Sequence, residues 1–240
     1  MANGNFYSTM AYISHITNKT DKAMKYYKKS ISKGNLMPRT YSGYTSLLIK
    51  LGRYDEAYNV ITTALKELPV NPKAKIAIQG LASQYVIVLW KMGKIDEAVA
   101  EMEKVHEELP SVNSYGTLGY LYIEQGDKNG DYTKALEFNE KAKAYADDDA
   151  NILDNMGQVM FRLGRYDEAI ENFEAALTEN PTQSVTLYYM ARIHVIKGNY
   201  DKALNIVNSL VNKDISNTAT VSKEDILALR KEIEEKMANI

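Results

Sequence analysis

The heptad Leu-Gly-Arg-Tyr-Asp-Glu-Ala runs from Leu51 to Ala57 and again, unchanged, from Leu163 to Ala169. A Gly behind an apolar residue suits a helix whose chain then turns into the left-handed region, where a residue without Cβ is free of strain. The Asp and Glu that follow suit the positive N-terminus of a next helix. Each heptad therefore predicts the corner of a helical hairpin. Weaker copies stand at Met92 to Ala98, Gly130 to Ala135 and Lys197 to Ala203, and the closing alanine also recurs at Ala23. The six alanines are 34, 41, 37, 34 and 34 residues apart, a period that predicts stacked helical hairpins.

Composition agrees with a folded helical stack and narrows its chemistry. The chain has 240 residues, 45% of them apolar, and a formal charge of -2, which is neither the basicity of a nucleic-acid binder nor the acidity of a disordered tail. With no Cys there is no disulfide, thiolate nucleophile or Cys-based zinc site, which fits a cytoplasmic protein. Met1 to Met10 has no signal-peptide pattern, and the most apolar run, Tyr85 to Trp90, is too short to span a bilayer. Charge is nevertheless uneven. Met1 to Met37 carries six Lys against Asp21 alone, a local +5, whereas Val112 to Gln183 carries 14 acids against six bases, a local -8.

With the recurring alanine set at position 20, the units fall at 4–37, 38–71, 72–111, 112–149, 150–183 and 184–217, and 218–240 is read as a capping helix. Positions 4, 7, 8 and 11 form the core stripe, as in Tyr41, Tyr44, Thr45 and Leu48 or Leu153, Met156, Gly157 and Met160. Asn18 replaces the turn Gly of the first unit, and Asn tolerates the left-handed region. Pro69 closes unit two. Asn71 and Pro72 resemble a cap and first helical residue seven positions early, so the first helix of unit three should overhang by about two turns. Unit four is expected to take its extra residues as an enlarged loop, Gly126 to Gly130. A small residue, Gly119 or Gly157, is expected to face the position-20 alanine and set the helix crossing distance. Ser222 and Asp225 resemble a helix start, followed by Ile226, Leu229, Ile233 and Met237 on one face.

The spacing large-x2-Leu-Gly-x2-Tyr, then Ala-x3-Phe, then Pro is that of the tetratricopeptide repeat, and unit five resembles it as Leu153, Met156, Gly157, Met160, Ala169, Phe173 and Pro181. The resemblance extends over about nine tenths of the chain. Unit one departs from it in lacking the turn Gly and the terminal Pro, unit four in having Asn139 for the aromatic, and unit six in ending at Ile215. The family implies an all-α, right-handed superhelical solenoid of about six hairpins plus a C-terminal capping helix. It also implies a non-enzymatic protein-protein interaction module or scaffold that binds a peptide or partner segment in a concave groove.

The resemblance places positions 2, 5, 6, 9, 12 and 13 on that groove. These positions hold an aromatic and amide-rich set that suits a polypeptide ligand: Tyr12, Trp90, Tyr120, Asn155, Gln158, Phe161, Tyr188, Tyr189 and Arg192, with His15, Ile87, Asn113, Ile123 and Asn151 beside them. The plainer alternative is that neighbouring first helices pack through these side chains. The family's carboxylate clamp needs Lys at position 5, where this chain has Ser8, Ser42, Ser83, Gly116, Asp154 and Tyr188, so chaperone tails are disfavoured.

No residue pattern points to catalysis, a cofactor or a metal. His15, His106 and His194 lack ligand spacing, and His194 falls on a core position. Asp127, Asn129, Gly130 and Asp131 resemble the start of a calcium loop, but the Gly is one place early and Phe138 stands where the bidentate Glu belongs. Asp147, Asp148 and Asp149 are explained as helix-start electrostatics. The expected partner is a protein or peptide and not nucleic acid, with the chain a monomer or weak homo-oligomer. Two alternatives stand beside this reading: a self-associating scaffold, and the cytosolic interaction domain of a membrane-anchored parent. The second follows from a first repeat that begins at once after Met1 and is rich in Lys.

Overall fold

The computed structural model describes residues 3–68, 75–216 and 219–239; within these there are thirteen α-helices and no strand. The chain divides into two compact units, Met1–Val105 and His106–Ile240. Their formal charges are opposite. The first has 15 Lys and Arg against eight Asp and Glu, or +7, and the second has 14 against 23, or -9.

In the first unit the helices are α1 (Gly4–Ile16), α2 (Thr20–Ser32), α3 (Pro38–Lys50), α4 (Tyr54–Glu67), α5 (Lys75–Lys91) and α6 (Ile95–Glu108), whose last three residues fall in the second unit. Asn3 starts α1 by accepting from the Phe6 N–H at 3.0 Å, and Asn18 ends the corner with φ 54°, the left-handed geometry expected of it. At the first heptad Gly52 has φ 68°; its N–H bonds the Ile49 carbonyl and the Arg53 N–H bonds the Leu48 carbonyl, each at 2.9 Å. These bonds satisfy carbonyls that the end of α3 would otherwise leave open. Arg53 then pairs with Glu56 one turn into α4, its Nε 2.5 Å from Oε1. Ala11, Ala23, Ala57, Ile61, Ala64 and Leu48 are closed off from solvent, and Tyr27 stacks on Tyr44 at 5.5 Å between ring centroids. The overhang expected of unit three starts at residues 71 and 72, which lie outside the described residues, as does Pro69. The described part of α5 begins at Lys75.

The second unit contains α7 (Val112–Asn129), α8 (Thr133–Tyr145), α9 (Ala150–Arg162), α10 (Tyr166–Glu179), α11 (Ser184–Ile196), α12 (Tyr200–Val211) and α13 (Lys223–Ala238). Here one expectation is corrected and another is given more detail. Residues 126–129 do not enlarge a loop; they continue α7 by about one turn, to a left-handed Gly130 at φ 78°. The extension is possible because Gly126 has no side chain. A Cβ there would lie 2.5 Å from the Tyr132 ring that folds back onto the helix.

The added detail concerns the crossing glycines. A Cβ on Gly157 would meet the ring of Phe173 at 2.5 Å, and one on Gly119 would meet Asn139 Oδ1 at 2.3 Å. These glycines therefore make room for the side chain one turn beyond the recurring alanine, Phe173 or Asn139, which lies nearest to them. Asn139 occupies the aromatic's place by donating from Nδ2 to the carbonyls of Ala135 at 2.8 Å and Gly119 at 3.2 Å. At the C-terminus Ser222 and Asp225 form a reciprocal capping box, and Ile226, Leu229 and Ile233 bury themselves in the same core as Val207 and Leu210. The terminal helix thus covers the last hairpin.

Candidate functional site

Tyr12 and Trp90 belong to the first unit. Trp90 is half-buried on α5 with Lys91 Nζ 3.9 Å from its ring centroid, while Tyr12 is 60% exposed on α1. Tyr12 stands at a cavity of about 540 Å³ lined by α1, α2, α3 and α5. Most of its lining residues occupy positions that the family resemblance assigns to a groove: Ser8, Thr9, Tyr12, His15 and Ile16 of α1, and Arg39, Ser42, Gly43 and Ser46 of α3. Gly43 is needed there, because a Cβ would lie 2.6 Å from Tyr27 Oη. The Tyr27 hydroxyl shares a 3.2 Å hydrogen bond with His15 Nδ1. Burial, then neighbouring Tyr12, pushes the Tyr27 pKa up to about 12, so it stays a phenol. Burial and then the charge of Lys50 pull the His15 pKa down, so it is uncharged at neutral pH.

The other seven candidates belong to the second unit, on α7, α9 and α11, and the structure brings them together around a buried polar network. Asn155 donates from Nδ2 to the Gly116 carbonyl at 2.7 Å. Gln158 donates from Nε2 to Asp154 Oδ2 at 2.8 Å, and Thr186 Oγ1 donates to Asp154 Oδ1 at 2.7 Å. Burial lifts the Asp154 pKa to about 6 against the opposing pull of those two donors and of Arg162. The Arg162 guanidinium grips Asp127 with two bonds of 2.7 Å and donates to Tyr189 Oη at 3.1 Å. Burial acts to lower the Arg162 pKa, and its bonds to Asp127 and Tyr189 overcome that and raise it. Tyr120 donates to Glu124, and burial followed by that carboxylate raises its pKa.

Asn155, Gln158 and Tyr189 are thus nearly closed to solvent and bonded to neighbouring side chains or backbone, whereas Tyr188 and Phe161 are half-buried and Arg192 is exposed. Arg192 lies over the Phe161 ring, 4.9 Å from its centroid, and Phe161 meets Tyr189 edge to face at 5.2 Å. Sequence reasoning missed Asp154, Arg162, Glu124 and Asp127. A signal existed for two of them: Asp154, Gln158 and Arg162 are spaced by four, which puts them on one stripe of α9. Asp127 had none, because it reaches Arg162 only from the added turn of α7. Of the residues of the rejected calcium loop, Asp127 is held by Arg162, while Asn129 caps the Asp131 N–H and Asp131 the Thr133 N–H. Asp149 caps α9 through the Asn151 and Ile152 N–H groups. Among the described residues no cluster of three or more His, Asp or Glu could hold a metal, and no helix is long and apolar enough to cross a membrane.

Tetratricopeptide repeat family models match residues 5–32 and 160–216. A TPR repeat-containing protein of Methanocaldococcus jannaschii is 27% identical over 197 residues, 81% of this chain and 33% of that protein. The photosystem I assembly protein Ycf3 of a Synechococcus species is 31% identical over 106 residues, 42% of this chain and 61% of Ycf3. The chain therefore covers less than two thirds of the length of either relative. Among solved structures, a tetratricopeptide repeat protein from Parabacteroides merdae superposes with a TM-score of 0.73 at 15% identity, covering 98% of this chain and 87% of that one. A thermophilic TPR protein of Thermus thermophilus gives 0.66 at 20% identity, covering 84% and 100%. Repeat period, left-handed corners, an all-helical fold and matches at both ends of the sequence agree: this chain is a tetratricopeptide repeat protein.

Proposed function

We propose that the protein is a non-enzymatic interaction module that holds a peptide or partner segment against the groove positions of its first helices, in an array of six repeats over 4–217 capped by 218–240. The fold in general mediates protein-protein interaction, and its members are in general non-catalytic scaffolds. The observation that carries the reading is the open cavity of the first unit, lined at groove positions by hydroxyls, amide and aromatic side chains. Its volume is in the range of ligand sites. The matched Ycf3 protein is named for an assembly role, which fits a scaffold that binds protein partners.

The structure changes which variants test this. Gln158 and Asn155 support the fold, so their loss would blur binding and stability. Tyr12→Ala combined with Arg192→Ala touches exposed side chains and leaves the networks intact. Proteins recovered from the source cell by the wild type should be lost or depleted with this variant; equal recovery of every partner would move the interaction off these faces. Self-association is a second reading, favoured by Phe6, Ile13 and Ile16, which are 52%, 45% and 60% exposed on α1. A concentration-independent monomer in sedimentation removes it.

A further inference from the structure

The dipeptide Asn-Gly occurs twice in the chain, as Asn3 with Gly4 and as Asn129 with Gly130. In sequence the two are equivalent, because a Gly after Asn has no Cβ to keep its backbone nitrogen away from the asparagine carboxamide. The structure separates them. Asn129 is the last residue of α7 and Gly130 follows it with φ 78°; both are exposed, and no heavy atom lies within 4 Å of where a Gly130 Cβ would be. The peptide between them is held by one bond, from the Gly130 N–H to the Gly126 carbonyl at 2.8 Å, the last of the helix. Terminal bonds of that kind open by fraying. Asn129 Oδ1 meanwhile accepts the Asp131 N–H at 2.8 Å, which polarises the carboxamide and sets a donor where negative charge develops when its carbon is attacked. The other pair is fixed in place. Gly4 is buried, a Cβ there would lie 2.9 Å from Asn35 Cβ, and its carbonyl accepts from Ser30 Oγ at 2.7 Å, while Asn3 Oδ1 is committed to capping α1.

We infer that Asn129 is a site of spontaneous deamidation, which makes the corner between α7 and α8 the place where this protein ages chemically, whatever its groove binds. When the terminal turn frays, hydroxide takes the Gly130 N–H proton and the nitrogen attacks Asn129 Cγ. The N–Cγ bond forms, the Cγ–Nδ2 bond breaks, and Nδ2 leaves as ammonia with a proton from water, which returns the hydroxide. The product is a five-membered succinimide closed through Asn129 Cα and Cβ. Water then opens the ring at either carbonyl. Attack at the side-chain carbonyl leaves an aspartyl side chain at position 129; attack at the main-chain carbonyl leaves an isoaspartyl linkage, in which the main chain runs through Cβ. Both products put a new carboxylate between Asp127 and Asp131, at the end of α7 where the helix dipole disfavours it. Asp127 lies in the same turn and ties α7 to Arg162 of α9, so the modification loosens that tie.

The test follows the full chain through incubation at mildly alkaline pH. Peptic digestion in acid halts the reaction, and mass spectrometry with electron-transfer fragmentation locates the amide-to-acid mass gain and the isoaspartyl linkage. In the folded chain Asn129 should convert about tenfold faster than Asn3, whose reaction requires loss of the helix cap. In strong urea the two should convert at similar rates, because only the fold distinguishes them. Asn129→Gln, an exposed change expected to leave the melting curve as it is, should abolish the more acidic form that anion exchange resolves from the aged wild type. That isolated form should show faster hydrogen exchange at the end of α7 and the start of α8, with α1 to α4 unchanged. Equal rates at the two sites in the folded chain, conversion of Asn3 ahead of Asn129, or an unreactive Asn129 in a folded chain whose unfolded form reacts would each overturn the proposal. So would a rate ratio as large in urea as in the native chain, which would assign the difference to sequence, or an acidic form that accumulates undiminished in Asn129→Gln. An acidic form modified at Asn129 but with native exchange throughout would overturn the loosening of the corner.

Discussion

Two glycines that look alike in the sequence do different work. Gly164, in the second heptad, has φ 75° and no heavy atom within 4 Å of where a Cβ would lie, so only its backbone conformation matters. Gly157 is helical and has the Phe173 ring where its Cβ would be. Gly164→Asn should then cost no more than about 1 kcal/mol, since Asn enters the left-handed region and Asn18 already does so in the first corner. Gly157→Ala should cost about 1–3 kcal/mol through overpacking. Urea denaturation orders the two; the reverse order would refute this division of roles. Asp154 gives a pH signature of the opposite sign to most carboxylates. Its folded pKa of about 6 lies above the unfolded 3.8, so its ionisation opposes folding: the cost is absent at pH below both values and grows as pH rises through 6. Asp154→Asn should therefore gain on the wild type by about 3 kcal/mol between pH 3.5 and pH 7.5, at roughly 1.36 kcal/mol per unit. A gap that does not widen with pH would show that Asp154 is not held in a desolvating site.

At the scale of an element, the added turn of α7 decides the chemistry of its neighbour. It carries Asp127 to the Arg162 guanidinium, whose side chain is only 12% exposed, and Tyr132 Oη donates to the same carboxylate at 2.7 Å. Asp127→Ala should destabilise the second unit by about 1–3 kcal/mol, because it strands a mostly buried cation whose partner was itself partly in solvent. Hydrogen exchange should speed in α7 and α9 while α1 to α4 stay unchanged, as damage in a repeat array remains near its origin. Uniform acceleration would contradict that locality. This pair also shows where sequence reading stops. The corners, the recurring alanines, Asn18 and the Ser222 and Asp225 capping box were legible, because each is set by residues within a few positions of one another. Whether residues 126–129 become loop or helix turns on Gly126 leaving space for the Tyr132 ring, a packing fact that periodicity does not encode. Likewise, the places of Asn155 and Gln158 along α9 follow from the repeat, but whether they face solvent or bond to neighbouring groups depends on distances between helices.

For the whole molecule, the repeated and the unrepeated residues separate. The heptads, the alanines and the terminal helix belong to the stack, whereas the α9 stripe of Asp154, Gln158 and Arg162 is not repeated in the other units. The division of charge, +7 in one compact unit and -9 in the other, is concealed by a total of -2. A protein so constituted offers a charged matrix of either sign a compact unit of opposite charge. At low ionic strength near neutral pH it should be retained by both cation and anion exchangers, and released from each by modest salt as the Debye length contracts to about 10 Å near 0.1 M. Opposite formal charges predict attraction between copies at low ionic strength, so solubility should rise when salt is first added: a polypeptide close to neutral in sum would have to be handled as one strongly charged twice over.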